Sequence, residues 1–251
     1  MAIAKENAME NVFNYTVTLI VNGKKINITD FYLQDTQSPH FAFAKVTIFD
    51  KIVPVQYQTV KISFKTDETE DIFNGFIDAC HNFKDKSILF LKEGSKDLHY
   101  QKIIQSYRRE TAQNILVEIL QKMNINNFNI NFIDCEIDRF PIYKENALLI
   151  IQRLKQIIKD YTNQEILSFF DKKGVFHFVE KEKYILKTKT ISFLTKKNIT
   201  NDSVGIIECL PTNIRANNSI LINFKNYTSI QTFFEFIDGK GRSKIYYETN
   251  D

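Results

Sequence analysis

Residues 15–29 read YTVTLIVNGKKINIT, and this stretch sets the terms for the rest of the chain. Tyr15, Val17, Leu19 and Val21 alternate with Thr16, Thr18, Ile20 and Asn22, the period-two signature of a half-buried strand. Asn22-Gly23 follows at once. A two-residue type I′ turn needs positive φ at both central positions, so this dipeptide predicts a hairpin leading into a second strand at 25–29. Working outward, further strands are expected at 41–49, 59–65, 71–83 and 87–91. Five or six strands with short connections point to a small antiparallel barrel or sandwich.

Beyond residue 100 the period changes. Ala112, Ile115, Leu116, Ile119, Leu120 and Met123 recur at helical spacing behind Thr111 as N-cap. Ala147, Ile150, Ile151, Leu154, Ile157, Ile158 and Tyr161 repeat the pattern behind Asn146, with Pro141 outside the run. Short apolar segments at 128–133, 166–170 and 175–179 complete an α+β unit. Strands then return at 185–190, 204–209, 219–224, 232–237 and 244–248, with 211–218 as a turn-prone connection and 238–241 as a hairpin loop. The expected fold is α+β, mainly β: two small antiparallel β-barrel domains, residues 1–100 and 183–251, flank an α+β insert at 101–182. The second barrel is completed by strands from elsewhere in the chain.

Composition narrows the chemistry. The 251 residues can bury a sizeable core without disulfides or metals, and 22 Phe and 11 Tyr supply much of its area. A net charge of +3 with interspersed signs gives no polyanion-binding tail. Cys80, Cys135 and Cys209 are far apart, without metal-ligand spacing. Neither a signal peptide nor a membrane span is expected. His40, His81, His99 and His177 lie in separate contexts with no HExxH spacing, and His177 reads as a strand-surface residue. Cys80 and His81 are adjacent on a strand and point to opposite faces, so they form no thiolate–imidazole pair. Seven glycines build no phosphate-cradling loop and no nucleophile elbow. No catalytic residue, metal site or cofactor is assigned.

Asp67, Glu68, Glu70 and Asp71 read as a solvated turn between two strands; a cell-wall or carbohydrate-active enzyme, the alternative class, needs two carboxylates facing across a cleft. Lys61 and Lys65 alternate with Val60, Ile62 and Phe64, project away from the core and are candidate channel-facing residues. Arg108 and Arg109, in the run Tyr107-Arg108-Arg109-Glu110 ahead of the first helix, are candidate subunit contacts, since a helix N-terminus disfavours cations. A nucleic-acid-binding module, a third class, predicts steeply salt-dependent DNA affinity that the small net charge supports poorly.

The order of pieces resembles a known family. VKISF (60–64) followed by IFNGFI (72–77), TAQNILVEIL (111–120), ENALLIIQRL (145–154) and GVFHF (174–178) are similar to successive segments of phage baseplate hub proteins. These are also called late control protein D, and type VI secretion spike proteins resemble them. The family often has Gly after the second helix, where this chain has Thr162-Asn163. The resemblance implies a homotrimer whose paired tube-type barrels form a pseudo-sixfold ring, adapting a hexameric tail tube to a threefold spike. It implies as partners the tail tube protein, a spike carried on a separate polypeptide and other baseplate proteins, with DNA or an effector passing through the lumen. The location implied is a virion tail or phage-like particle assembled in the bacterial cytoplasm. No hydrolase activity is carried over.

Overall fold

The computed structural model describes residues 16–36, 41–49, 56–65, 69–171, 173–182, 184, 189–190, 194–199, 204–209, 214–216, 218–222, 225–237 and 240–249. Seven strands come first: β1 (Thr16–Val21), β2 (Lys24–Asn27), β3 (Asp30–Thr36), β4 (Phe43–Ile48), β5 (Thr59–Lys65), β6 (Thr69–Asn82) and β7 (Ser87–Glu93). The middle segment holds α1 (Lys96–Tyr100), β8 (Ile103–Thr111), α2 (Ala112–Lys122), β9 (Phe128–Asn131), β10 (Glu136–Glu145), α3 (Ala147–Thr162), β11 (Ile166–Phe170) and β12 (Phe176–Glu180). The last run is β13 (Lys189–Thr190), β14 (Leu194–Ile199), β15 (Val204–Cys209), β16 (Ser219–Ile222), β17 (Lys225–Ile237) and β18 (Lys240–Thr249).

The opening hairpin forms as read: Asn22 and Gly23 have φ of 47° and 79°, and Val21 pairs with Lys24. The second strand is 24–27 rather than 25–29, because the chain turns again to start β3 at Asp30. That third strand escaped the sequence reading. Its buried positions are Phe31, Leu33 and Asp35, and a carboxylate in the third one breaks the apolar alternation. At the other end, Lys240 and Gly241 lie within β18 and pair with Ile237 and Phe236, so the expected four-residue loop shrinks to 238–239, outside the described residues. Of the strand expected at 185–190, only 189–190 is described.

One sheet carries both β runs. Its path is β14-β15-β18-β17-β3-β4-β7-β6-β5-β1-β2, with β16 on β17 and β13 on β16. Strand β17 pairs antiparallel with both β18 and β3, from Gln231↔Thr36 to Ile237↔Asp30, so the last run continues the first across one ladder. Among the described residues the path is open at β2 and β14, with no closed barrel. The β2 end carries the lysine pair Lys24-Lys25, a usual device for blunting edges.

Three apolar cores follow the chain. The first gathers Leu19, Ile62, Phe73, Leu89 and their neighbours and takes Phe234 and Phe236 from β17. The second holds the inner faces of α2 and α3, including Leu116, Leu120, Ile150 and Leu154, against Phe176 and Phe178. The third, around Ile207, Ile220, Tyr227, Ile245 and Tyr247, is smaller. Both helix starts are capped as expected: Thr111 Oγ1 accepts from Asn114 N, and Asn146 Oδ1 accepts from Leu149 N at 3.0 Å. Asn163 ends α3 in the left-handed conformation, φ 58°, doing what glycine does at such caps. The glycine of IFNGFI is required by packing, since a Cβ on Gly75 would lie 2.0 Å from the Lys92 carbonyl oxygen.

Candidate functional site

Strand β5 buries Val60, Ile62 and Phe64 and turns Lys61 and Lys65 to the other face. The two candidate channel lysines thus share a face, but they differ in pairing. Lys61 Nζ lies 2.5 Å from Asp71 Oδ2 on the neighbouring β6, and Asp71 also accepts from Ser63 Oγ at 2.8 Å. The expected acidic turn is therefore partly strand: β6 starts at Thr69 because the β5–β6 ladder runs to Lys65↔Thr69. Asp67 and Glu68 lie outside the described residues.

Arg108 and Arg109 are not beside a helix start as an irregular lead-in. They sit on β8, which pairs with β10 in a two-stranded ribbon before α2 begins at Ala112. Both are exposed. Arg108 faces Arg139 directly across the ladder, and Arg109, at φ 51°, has left the extended conformation. With Arg139, Ile137, Asp138, Ile157 and Tyr161 they line a cleft of about 450 Å³ between the ribbon and the C-terminal half of α3. Sequence reasoning missed Arg139. Its strand, EIDRFPIYKE, contains Pro141 and five charged residues and does not alternate cleanly. Lower on the ribbon, Ile104 and Tyr143 are cross-strand partners, 66% and 72% exposed.

A buried charged junction, also unseen in the sequence, fixes the two β runs together. Arg215, between β15 and β16, donates through Nε to Asp35 Oδ2 at 2.6 Å, through Nη2 to Glu93 Oε1 at 2.7 Å and through Nη1 to the Ile72 carbonyl at 3.1 Å. The carboxylates are used twice: Asp35 also accepts from Ala216 N at 3.0 Å, and Glu93 from Ala42 N at 2.9 Å. Burial draws the Glu93 carboxyl above the ordinary carboxylate range although Arg215 pulls the other way. Burial works against the charge of Arg215, but Asp35 and Glu93 together hold it firmly protonated. These bonds join the two β runs, an architectural role.

The histidines and cysteines stay dispersed. His177 is better held than a surface residue: its Nε2 lies 3.2 Å from Asp171 Oδ2 and its ring stacks on Phe169 at 4.9 Å. Asp171 meanwhile accepts from the backbone N–H groups of Lys173 and Val175, so the pair organises the β11–β12 turn. Cys80 is half-buried, its thiol raised by burial, and His81 packs edge-on against Phe90. His40 lies outside the described residues. Among the described residues no group of three His, Cys, Asp or Glu side chains could hold a metal ion. No helix there is long and apolar enough to cross a membrane.

Comparison with known proteins points one way in structure. The fold matches a 43 kDa tail protein of prophage MuSo2 from Shewanella oneidensis with a TM-score of 0.71 and 11% identity, over 93% of this chain and 96% of that one. It matches a tail protein from Neisseria meningitidis MC58 with a TM-score of 0.70 and 8% identity, over 95% and 97%. It matches the E. coli c3393 protein, a type VI secretion component described as similar to the T4 tail proteins gp27 and gp5, with a TM-score of 0.71 and 12% identity, over 93% and 77%. No family model matches the sequence. In sequence, 187 residues are 27% identical to a phosphate acetyltransferase of Buchnera aphidicola subsp. Acyrthosiphon pisum (strain APS), covering 73% of this chain and a quarter of that enzyme's length. The fold is therefore that of phage tail proteins and of a type VI secretion component, in line with the hub resemblance of the sequence.

Proposed function

We propose that the protein is a structural, non-catalytic hub subunit of a phage tail baseplate or phage-like injection machine. Three copies close a ring that joins a hexameric tail tube to a trimeric spike and leaves a channel for DNA or an effector. In this reading residues 1–100 and 183–251 are two tube-type barrel domains, and 101–182 is the α+β insert between them. Lys61 and Lys65 face the lumen, and Arg108 and Arg109 lie at a subunit interface.

The observation that carries the proposal is the β17–β3 ladder. Pairing Phe236 with Phe31 and Phe234 with Leu33 joins the two β runs in one sheet, which supports reading them as neighbouring segments of a ring wall. Likeness of fold to tail proteins over more than nine-tenths of the chain supports the same reading. Size-exclusion chromatography with light scattering, followed by negative-stain imaging, tests it. The expected result is a species of three chains with a central hole; a monomer that persists at high concentration overturns it.

A further inference from the structure

We infer that the cleft between the β8–β10 ribbon and α3 is a docking site for a carboxylate-bearing, apolar segment of a partner protein. The chain has six arginines. Three are satisfied internally: Arg153 by Glu145, Arg215 by Asp35 and Glu93, and Arg242 by Glu235. The other three, Arg108, Arg109 and Arg139, form no ion pair with any described residue, and all three line this one cleft.

Their placement works against the fold. Like charges directly opposite on a ladder repel, yet Arg108 faces Arg139. Arg109, next to Arg108 on β8, takes a left-handed backbone conformation uncommon outside glycine and asparagine. An arrangement that costs stability and leaves three guanidinium groups unpaired fits a surface completed by something else. Guanidinium forks bind carboxylates two bonds at a time, and arginine and tyrosine are the residues that interfaces favour.

The rest of the lining selects the partner class. Ile137 is 4% exposed and forms a floor with Ile157, while the ring of Tyr161 is 66% exposed at the rim. Such a floor suits an aliphatic or aromatic side chain next to the acid. A nucleic-acid backbone would instead find no extended basic track, since the three arginines are confined to this one cleft. The inference rests on, and deepens, the contact role proposed for Arg108 and Arg109; its test reads peptide binding and not ring closure, so the two can fail separately.

The test uses the full chain and fluorescence anisotropy. The probes are a labelled peptide alternating Glu or Asp with Phe, its Gln/Asn twin, and a labelled DNA duplex. The acidic peptide is expected to bind about tenfold or more tighter than its twin and to weaken with salt. Arg108→Gln and Arg139→Gln should each lower that affinity several-fold at unchanged melting temperature, while Lys24→Gln on the distant β2 leaves it alone. Equal binding of the two peptides, full retention by both arginine variants, or tighter binding of the duplex overturns the inference.

Discussion

Two seams hold the first β run to the rest of the molecule, and they are built on opposite principles. Toward the last β run the seam is charged: Arg215 bridges Asp35 and Glu93, beside the β17–β3 ladder. Toward the α+β segment it is mainly aromatic, with the Lys92–Asp78 ion pair and its bonds to Tyr100 at the margin. His99 meets Phe41 and Phe76 with ring centroids 5.9 and 5.4 Å apart, and Phe41 meets Phe170 at 5.8 Å. Glu93 belongs to both, since its carboxylate accepts from Arg215 and its carbonyl accepts from His99 Nε2 at 2.8 Å. A charged seam admits one geometry and fails sharply when a member is lost; an aromatic seam tolerates adjustment. The two β runs must keep one relative position if they are wall segments of a ring, and that is the seam that carries the charges.

The sharpest way to break this contrast is Arg215→Met. Removing the guanidinium strands two carboxylates whose side chains are 7% and 2% exposed, and we expect a loss of about 3–5 kcal/mol. Replacing the whole triad with apolar residues of similar volume, often harmless for buried ion pairs, should not rescue this one. Asp35 and Glu93 also satisfy the backbone N–H groups of Ala216 and Ala42, which would be left without acceptors. Chemical denaturation of the single and triple variants measures both effects; a triple variant as stable as the wild type would remove the charged seam's special status.

On the aromatic side the corresponding change is Gly94→Ala. Gly94 has φ of 82°, and a Cβ there would lie 2.9 Å from the edge of the Phe170 ring. A side chain that can shift absorbs part of the overlap, so the expected loss is about 1–3 kcal/mol, visible as a lowered denaturation midpoint. A loss as large as that of Arg215→Met would show both seams to be equally rigid.

The seams also mark where the sequence was and was not legible. Signals that act over a few residues were readable: the Asn22-Gly23 turn, and the Thr111 and Asn146 caps ahead of helical apolar stripes. The charged seam was not, because Arg215 lies 180 residues from Asp35 and 122 from Glu93, and no local period connects them. In the polar stretch around 211–218 an arginine looks solvated. The ribbon failed for another reason. Residues 103–111 and 136–145 each bury only a few side chains, and Pro141 reads as a breaker, although it is accommodated opposite Ser106 on a ribbon with open edges. Arg108 and Arg109 stand out by their charge ahead of a helix start, and Arg139 needs the ladder to bring it to them.

The smallest effect expected is the pH response of the aromatic seam. His99 donates from Nε2, because the Glu93 carbonyl can only accept, so the ring packed among Phe41, Phe76 and Tyr100 is the neutral tautomer with its proton there. Burial lowers its pKa below the ordinary 6.5, with Lys92 working in the same direction and the Glu93 carbonyl and Asp78 opposing. Below 6.5 the unfolded chain therefore binds more protons at this position than the folded one. The contribution of His99 to stability is complete above that pH and is lost as the solution is acidified through the folded-state value. Melting temperatures taken from pH 8 down to pH 5 should fall more steeply for the wild type than for His99→Gln, whose amide can keep the bond to the Glu93 carbonyl without titrating. Arg215→Met should leave that difference between slopes intact, since it opens the other seam; if it erases the difference, the two seams are one coupled unit and the contrast between them fails.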